Sequence, residues 1–575
     1  MNSEKPVFHQ RECRDIVFPQ DTGLAPVLQR IYSARGITSS SEIDYSLKSL
    51  IAPDQITQLL EAAALVQQHI NNHSLILIFG DYDADGATST ALCIRALEML
   101  GHDRVEFLLP DRIVDGYGLS LNMAEKIRTI KPDLVITVDT GIASFKGIDL
   151  LRQAEIDIIV TDHHLPAEQL PSANYIVNPN AFQNSAGKNL AGVGVAFYLM
   201  LALRQLMRES DEFDDGVEPN LAELLDLVAI GTVADLVPLD FNNRILVQQG
   251  LKRLRAGACS TGIKKLVEVS RRNLKTLTTQ DIGFTIAPRI NAAGRLDDMS
   301  IGVQTLLSQD EKSATELAYE LDSINQYRRE IQGQMTEQAL AMVQKIQADI
   351  IGSKLQRSVV LYQADWHEGV VGIIASKIKE FTYRPVISFA ANESGELKGS
   401  GRSIPGIHLR DMLDLVDKQQ PGLILRFGGH AMAAGLSIQL DKLDDFRRVF
   451  EQVLSQHVDA SCFNNIVEHD GEIESSHLNL AFARVLRESG PWGQRFPLPT
   501  FYGEFKALNQ IVLADKHLKL TLTPMDDSQQ VEAILFFATD EQLKTNFQQL
   551  IIHYELNVNE FRNEENVQLL IRHIV

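Results

Sequence analysis

Three aspartates stand at alternate positions in the segment FGDYDADG, directly after a run of aliphatic residues. They are Asp81, Asp83 and Asp85, and the preceding SLILIFG is typical of a buried strand. Carboxylates this close to one another repel, and a bound cation would relieve that repulsion. A single aspartate at this point would instead be interpreted as an ordinary turn or helix cap. The spacing raises the hypothesis of a metal site, which other residues must support.

Other apolar segments also end in acids and histidines. Asp139 follows DLVITV, Asp162, His163 and His164 follow IDIIVT, and Asp235 follows the helix-like AIGTVA. Oxygen ligands with one or two histidines and no thiolate suit Mn²⁺ or Mg²⁺ ahead of Zn²⁺. Four aspartates and a histidine exceed what one ion needs when it must also bind water. We therefore expect two ions that share a bridging carboxylate.

Paired metal ions commonly hydrolyse phosphate esters, and a cationic surface should then hold the substrate phosphate. The segment GSGRSIPG offers Ser400, Arg402 and Ser403 in a glycine-rich turn, and GGH offers backbone N–H groups beside His430. Glycine lets the backbone approach an anion, and arginine can bind one with two hydrogen bonds. The same glycines could equally serve only to make turns. The sequence has no Walker-type GxxxxGK(S/T) segment, so an ATP-driven motor is not indicated.

The elements that must position these residues alternate between about Leu75 and Leu236. SLILIF, RVEFLL, DLVITV, IDIIV and NYIV are short, apolar and rich in β-branched residues, and helix-like stretches begin near Ala87, Leu119 and Ser144. This alternation predicts βαβ units and a parallel sheet covered on both faces. Because sites in such sheets lie outside the carboxyl ends of the strands, the acids and histidines should converge on one edge.

The rest of the chain shows three further patterns. Apolar residues at helical spacing in SATELAYELDSINQYRREIQGQM predict one long amphipathic helix between two domains. A second α/β pattern runs from Ser358 to about Phe450, and strand-like runs after Asn465 predict a small β-barrel or sandwich. We expect an N-terminal segment (1–55), a catalytic α/β domain (56–240), a helical connector that includes the long helix (241–350), a second α/β domain (351–460) and a β-rich domain (461–575).

Composition limits the class of protein. A formal net charge of −21 argues against a polyanionic partner, yet residues 251–296 hold ten Lys or Arg against two acids, a net charge of +8. This basic strip is either a solvated helical face or a phosphate-facing surface, and composition does not choose between them. Four scattered cysteines without CxxC spacing fit a reducing cytosol. Since the sequence shows no signal peptide and no apolar run that could span a bilayer, we expect a soluble, cytoplasmic protein without a membrane partner.

Taken together, GDYDADG, VDTG, DHH and GGHAMAAG make the chain resemble the DHH phosphoesterase superfamily and, within it, the RecJ single-strand-specific exonucleases. Additional matches are PDRIVDGYGLS, APRINAAGRL, HEGVVGIIASKI and PWGQRFPLPTF. The tripeptide DHH alone is weak evidence for this family, whereas the ordered set of motifs is highly specific and covers nearly the whole chain. The resemblance implies a parallel-sheet DHH domain, a DHH-associated α/β domain joined to it by the long helix, and a C-terminal β-barrel of the OB-fold type.

The resemblance also assigns the metal site. It implies Asp83, Asp85, His163 and Asp235 as metal ligands, with Asp139 bridging two Mn²⁺ or Mg²⁺ ions. His164 would face the scissile phosphate, and Asp162 would orient the neighbouring histidine.

Substrate contacts are implied in the same way. Arg402 and His430 would bind the strand backbone, and Arg112, Ser400 and Arg295 would hold a 5′-terminal phosphate. Tyr117 would sit near the terminal nucleotide. Arg289 belongs to the same APRINAAGRL motif as Arg295 and is expected to join them on the substrate path.

One departure concerns the first metal ligand. Small pyrophosphatases and oligonucleotide phosphatases of the superfamily open with His-x-Asn-Pro-Asp-x-Asp, so this chain has Phe79 where they have histidine and Asp81 where they have asparagine. RecJ-like sequences share this departure. Either Asp81 or water must complete the first metal's ligands, and Asp81 is alternatively a residue that supports the ligands from outside.

The expected activity is 5′→3′ degradation of single-stranded DNA to 5′-mononucleotides in repair and recombination. We expect a monomer, and the resemblance implies a helicase and a single-strand-binding protein as its partners. Two alternatives stay open. One is a DHH phosphodiesterase acting on oligoribonucleotides or small nucleotides, and the other is an inactive single-strand-binding scaffold. The second would require eroded ligands, and every aspartate and histidine named above is present.

Overall fold

The computed structural model describes residues 6–13, 23–213, 217–349, 356–392, 395–561 and 564–575. The chain folds as two compact units. The large unit comprises Gln10–Asp322 and Glu468–Val575, and the small unit comprises Ser323–Val467 with the start of the chain up to His9.

A five-stranded parallel sheet forms the centre of the large unit. Its strand order is β3-β2-β4-β5-β6, and all five strands were predicted from the sequence and are confirmed. The first elements of the chain are β1 (Val7–Gln10), α1 (Pro26–Ser33), α2 (Leu59–Asn71), β2 (Ile76–Gly80), α3 (Ala84–Met99), β3 (Val105–Leu108), α4 (Leu121–Ile130), β4 (Leu134–Val138), α5 (Phe145–Gln153), β5 (Asp157–Thr161) and β6 (Tyr175–Val177).

Helices cover both faces of this sheet. Because successive strand residues point to opposite sides, Ile76 and Ile78 of β2 join a core with α2 and α3, whereas Leu77 and Phe79 join a second core with α4 and α5. Strands β2 and β4 are buried along their whole length, as expected of a parallel sheet between two helical layers. All the strands run the same way, so their carboxyl ends lie along one edge.

Between β6 and α13 the described residues form seven α-helices, and most of them add apolar residues to the first of these cores. Leu251, Ile263, Ile290 and Val303 are all buried in it. Residues Ile282–Ile286 form a π-helical turn directly before α11. The helices are α6 (Gly192–Glu209), α7 (Leu225–Ala234), α8 (Phe241–Arg255), α9 (Thr261–Val269), α10 (Thr279–Asp281), α11 (Ala287–Leu296) and α12 (Ser300–Leu307).

The predicted long helix is confirmed as α13 (Glu311–Asp349), which begins in the large unit and continues in the small unit. The small unit has a mixed sheet of order β10-β11-β9-β8-β7, in which only β7 and β8 are parallel neighbours. This confirms the second α/β domain. Its elements are β7 (Val359–Tyr362), α14 (Val371–Thr382), β8 (Val386–Ala391), β9 (Glu396–Arg402), α15 (Leu409–Gln419), β10 (Arg426–Gly429), β11 (Ala433–Gln439) and α16 (Leu443–His457).

The last part of the large unit is a closed five-stranded barrel of order β13-β14-β15-β17-β16. It confirms a barrel rather than a sandwich, and this strand order is that of an OB-fold. Among the helices in the described ranges, none is both long and apolar enough to cross a membrane. The remaining elements are β12 (Ile466–His469), α17 (Leu480–Glu488), β13 (Phe501–Leu513), β14 (His517–Pro524), β15 (Val531–Leu535), α18 (Asp540–Lys544), β16 (Gln549–Phe561) and β17 (Glu564–Ile574).

Candidate active site

The segment GDYDADG turns the chain from β2 into α3. Asp83 caps the helix, since its Oδ1 accepts hydrogen bonds from the N–H groups of Asp85 and Gly86 at 3.0 and 3.1 Å. Asp81 accepts a hydrogen bond from the N–H of Tyr82. A Cβ at position 86 would lie 2.4 Å from the carbonyl oxygen of Asp81, so the turn requires glycine. The helix cap thus fixes the backbone from which all three carboxylates project.

Asp85 is buried against the start of α6. Its carboxylate accepts hydrogen bonds from the N–H groups of Gly192 and Val193 at 2.7 and 3.0 Å, two donors that a helix N-terminus leaves without helical partners. A Cβ at position 192 would lie 2.5 Å from Cβ of Asp139, so glycine is required here too. Burial, and then repulsion from Asp83, raises the pKa of Asp85 to about 7.

Asp139 follows β4 and has a φ of 60°, which is unusual for a residue other than glycine. Its side chain is buried, and within the described part of the chain its Oδ1 accepts no hydrogen bond. Burial raises the pKa of this carboxyl well above its usual value, and the neighbouring carboxylates of Asp85 and Asp83 raise it further. Backbone strain of this kind persists where the surrounding structure imposes it, often at functional sites.

Of the three residues after β5, Asp162 is buried and holds the turn, whereas His163 and His164 are partly exposed. Oδ1 of Asp162 accepts hydrogen bonds from the N–H groups of His163 and His164 and from Nδ1 of His164 at 2.8 Å, and Oδ2 accepts one from the N–H of Ile142. Although burial alone would raise it, the bond from His164 and the histidine charges hold the pKa of Asp162 at about 2. The same ion pair outweighs burial at His164 and raises its pKa to about 9.

His163 is where the acids from different strands meet. Its Nε2 lies 3.1 Å from Oδ1 of Asp139, 3.5 Å from Oδ2 of Asp235 and 3.9 Å from Oδ2 of Asp85. Asp235 ends α7, and burial followed by repulsion from Asp85 raises the pKa of its carboxyl well above the usual value. The edge of the sheet therefore gathers residues from β2, β4, β5 and α7.

Three overlapping groups in this cluster have the geometry to hold a metal ion. They are Asp85 with His163 and Asp235, Asp81 with Asp83 and Asp139, and Asp139 with His163 and His164; in each, one ligand atom per residue lies within 4.8 Å of the others. Asp139 belongs to two groups, and Asp81 is placed with Asp83. The buried Asp81, Asp85 and Asp139, with their raised pKa values, fit a cation, as does Oδ1 of Asp139, which accepts no hydrogen bond from the described residues and lies 3.1 Å from Nε2 of His163. Oxygen donors with imidazole fit Mn²⁺ or Mg²⁺.

Three asparagines that the sequence did not single out hold the backbone of this cluster. Nδ2 of Asn178 donates to the carbonyl of His164, and Nδ2 of Asn180 donates to that of His163. Oδ1 of Asn291, on α11, accepts a hydrogen bond from the N–H of Ala84 at 2.8 Å. Two sequence signals pointed to them: the asparagines of NPN directly after NYIV, which resemble the polar strand ends elsewhere in the sheet, and the place of Asn291 within APRINAAGRL.

Two of the expected substrate residues lie beside the cluster. The guanidinium of Arg112 stacks over the ring of Tyr82 at 4.2 Å, and its Nε donates to the carbonyl of Gly294. The ring of Tyr117 is half exposed and stands edge-on to His164, with centroids 6.0 Å apart. Both residues are held close to the turn that carries Asp81.

The basic strip is partly neutralised inside the large unit. Nε of Arg289 donates to Oδ1 of Asp322 at 2.8 Å, and its Nη1 donates to the carbonyl of Thr285. Lys265 pairs with Glu311, and Arg272 pairs with Asp281. Arg289 therefore has structural partners, and Arg295 lies further along the same helix, in its last turn. The strip is divided among α8, α9, α11 and the segments between them.

The remaining substrate residues lie in the small unit, at one end of its sheet. Nη1 of Arg402 donates to Oγ of Ser400 at 3.1 Å and to the carbonyl of Gly401. Arg402 is paired with Ala433 of β11, and the exposed His430 precedes that strand, so the structure brings these residues together.

Three family profiles match the chain. The DHH family N-terminal domain matches residues 75–232, the DHHA1 domain matches residues 354–456, and the RecJ OB domain matches residues 469–573. The matches fall on the parallel-sheet domain, the mixed-sheet domain and the barrel, in that order.

Proteins described as single-stranded-DNA-specific exonuclease RecJ are similar to the chain over nearly its full length. The protein from Dickeya dadantii is 47% identical, and that from Escherichia coli is 44% identical, each over 96% of this chain and 96% of its own. A crystal structure of RecJ in complex with Mn²⁺ from Thermus thermophilus has a TM-score of 0.79 at 28% identity, covering 96% of this chain and 76% of that one.

Proposed function

Because this chain belongs to the RecJ family, we propose that it is a metal-dependent exonuclease that degrades single-stranded DNA from the 5′ end to 5′-mononucleotides. The observation that carries the proposal is the cluster at the sheet edge, where four strand or helix ends contribute carboxylates and imidazoles to overlapping ligand groups. The RecJ proteins that it resembles are named for single-stranded DNA, and a relative's structure contains Mn²⁺.

We assign the ligands from the grouping of side chains. Asp85, His163 and Asp235 would hold one Mn²⁺ or Mg²⁺ ion, Asp81 and Asp83 would hold a second, and Asp139 would contribute to both. When bound, such ions lower the pKa of a water molecule and balance the charge that develops on a phosphate under attack. Before binding, burial and then repulsion from neighbouring carboxylates raise the pKa values of Asp85 and Asp139, and a divalent cation would relieve that repulsion.

His164 would hold a proton toward the phosphate. Its Nδ1 is bound to Oδ1 of Asp162 at 2.8 Å, which leaves Nε2 as the atom that can donate. The raised pKa of His164, about 9, keeps the ring protonated near neutral pH. Asp162 would act as a positioning residue, because its four accepted hydrogen bonds fix both the turn and the ring.

The proposed contacts to the strand are of two kinds. Arg112 and Arg295 in the large unit, and Ser400, Arg402 and His430 in the small unit, would bind phosphates through charge and hydrogen bonds. Tyr117, half exposed beside His164, would contact the terminal nucleotide. The barrel would add single-strand affinity, as OB-folds do. By family likeness we also propose a cytoplasmic monomer that works with a helicase and a single-strand-binding protein.

The test uses strands labelled at the 3′ end and carrying a 5′ phosphate, with Mn²⁺ or Mg²⁺. The wild type should release 5′-mononucleotides and shorten the labelled strand progressively. Asp139→Ala should abolish this activity, whereas Asp103→Ala, at an exposed aspartate away from the cluster, should preserve it. Retained degradation by Asp139→Ala would refute the role of the cluster.

The rival function, hydrolysis of short oligoribonucleotides or small nucleotides, is separated by substrate length. The barrel favours long strands, since a dinucleotide needs no additional single-strand-binding domain. A length series of DNA and RNA should show cleavage that improves with DNA length. Equal or better cleavage of dinucleotides would favour the rival, and equal cleavage of strands with a bulky 5′ block would contradict 5′-end recognition.

A further inference from the structure

Phe284 is exposed on the segment that leads to α11. Its exposed fraction, 81%, is the highest among the large apolar side chains of the described ranges. Single exposed apolar residues are common on protein surfaces, so exposure alone carries no functional meaning. The backbone that carries this residue and its position near the acidic cluster supply the further observations.

The backbone around Phe284 is a π-helical turn held firmly at both ends. The turn spans Ile282–Ile286, and these two isoleucines are fully buried. Pro288, four residues after Phe284, has no N–H to donate to its carbonyl, which accounts for the departure from α-helical bonding. Turns of this type are frequent at functional sites. The ring is therefore presented to solvent from a rigid support, at little further cost in conformational entropy.

The same segment contacts two of the elements that carry residues of the acidic cluster. A Cβ on Gly283 would lie 3.6 Å from Cγ1 of Val233, two residues before the proposed ligand Asp235. Further along, Asn291 accepts the hydrogen bond from Ala84 in the turn that carries Asp81. Phe284 directly follows Gly283, so it lies on the segment that packs against the last turn of α7, which ends at Asp235.

A second apolar side chain stands next to the ligands. Leu236, directly after Asp235, is 67% exposed and has a φ of 58°. A phosphodiester held at the cluster must place the bases on either side of it against neighbouring surface. A flat aromatic ring on a rigid turn suits the face of a nucleobase, and such stacking is independent of base identity.

We propose that Phe284 is a base-stacking residue that positions the single strand beside the acidic cluster. This inference rests on the proposed function, because its ligand is a base of the strand that the cluster cleaves. Stacking holds the strand without contributing to the chemical step, so its removal should raise KM more than it lowers kcat.

The first experiment compares Phe284→Ala, Phe284→Trp and the wild type on intact 5′-phosphorylated single strands. Base–aromatic stacking corresponds to about a 5- to 150-fold change in binding, so Phe284→Ala should raise KM within that range while kcat changes less. Phe284→Trp should restore the wild-type KM, because indole offers a stacking face. Phe381→Ala, at an exposed phenylalanine of α14 in the small unit, is the matched control and should leave KM unchanged.

The second experiment identifies the stacked base. Strands carry one abasic nucleotide at successive positions from the 5′ end. The wild type should bind one of them less well than the intact strand, whereas Phe284→Ala should lose that discrimination. An unchanged KM in Phe284→Ala, or unchanged abasic discrimination, would overturn the inference. Failure of the wild type itself to degrade intact strands with Mn²⁺ would instead overturn the proposed function.

Discussion

Replacing Asp81 with asparagine should stabilise the metal-free protein and weaken its stabilisation by Mn²⁺. Asp81 is 3% exposed, and burial, followed by repulsion from Asp83, raises its pKa from 3.8 to about 8. Between these two values the folded protein holds a proton that the unfolded chain has lost. The free energy of unfolding therefore falls as the pH rises from about 4 to about 8, and this loss is absent below that range.

The size of this loss in the free energy of unfolding follows from the interval between the pKa of Asp81 in the unfolded chain and the pH of the experiment. At pH 7 that interval corresponds to about 4 kcal/mol of lost stability. Asparagine keeps an oxygen for the N–H of Tyr82 but buries an amide N–H₂ group, which costs about 1–3 kcal/mol. We expect Asp81→Asn to raise the free energy of unfolding at pH 7 by about 1–3 kcal/mol in EDTA, and to lower it near pH 4.

Added Mn²⁺ should reverse the order of the two free energies of unfolding, so that the wild type becomes more stable than Asp81→Asn. If Asp81 is a direct ligand, saturating Mn²⁺ binds two carboxylates in the wild type, those of Asp81 and Asp83. In the variant it binds only that of Asp83, so the ion adds less to the free energy of unfolding. Asp226→Asn is the matched control, because Asp226 is a buried acid whose pKa is raised to about 6 by burial but whose partner is Arg95, at 3.8 Å. The effect of Asp226→Asn should not depend on Mn²⁺.

Trp492 provides the assay, since it is buried in the large unit with Tyr32 and Phe496. In a Trp366→Phe background, its fluorescence follows urea unfolding of that unit from pH 4 to pH 9, with EDTA or Mn²⁺. An equal free energy of unfolding for wild type and Asp81→Asn in EDTA would refute the charge argument. An equal gain from Mn²⁺ in both proteins would show that Asp81 supports the ligands without binding the ion.

Three further changes test other parts of the structure. Asp162→Asn removes the charged acceptor of His164, so kcat on single strands should fall about 10- to 100-fold with a smaller change in KM, as measured by steady-state digestion. Gly192→Ala would place a methyl group 2.5 Å from Cβ of Asp139, so activity and thermal midpoint should both fall, whereas Gly333→Ala, where nothing lies within 4 Å, should preserve both. Deleting Glu468–Val575 removes Trp492 and Phe496 from Tyr32, so the soluble yield and melting temperature of the remainder should fall, beyond any loss of DNA affinity.

The parallel sheet was predictable because buried parallel strands are continuous apolar runs with polar residues at their carboxyl ends. The convergence of Asp85, Asp139 and His163 follows from that topology alone. Helix α3 begins at Ala84, three residues before the predicted start near Ala87, because the side chain of Asp83 caps it. Asp83 was already interpreted as a metal ligand, so the sequence did not also indicate that it caps the helix.

The supporting contacts were not predictable, because they join residues far apart in the chain. Asn291 lies 207 residues from its partner Ala84, and neither asparagine nor its spacing indicates that contact. Arg289 belonged to a basic strip by composition, yet its partner Asp322 lies 33 residues away on α13. Net charge within a window does not include acids that folding brings from outside it. Helices α8, α9, α11 and α12 carry apolar residues in sequence, but only the fold shows that these residues share the core of α3.

Phe79 stands where the wider superfamily has a histidine, and the fold explains how the proposed metal site is built without one. Phe79 is fully buried in the core with Leu119 and Met123, so its side chain serves the face of β2 rather than the sheet edge. Asp81 instead brings a carboxylate within reach of Asp83 and Asp139. The Asp81 carboxylate adds negative charge near Asp139, whose pKa is already raised, so a cation would offset more repulsion here than it would beside a neutral imidazole. In the proposed site, ion binding and the stability of the large unit are therefore coupled more strongly. Replacement of Asp81, rather than of Phe79, tests the ion that we assign to Asp81 and Asp83.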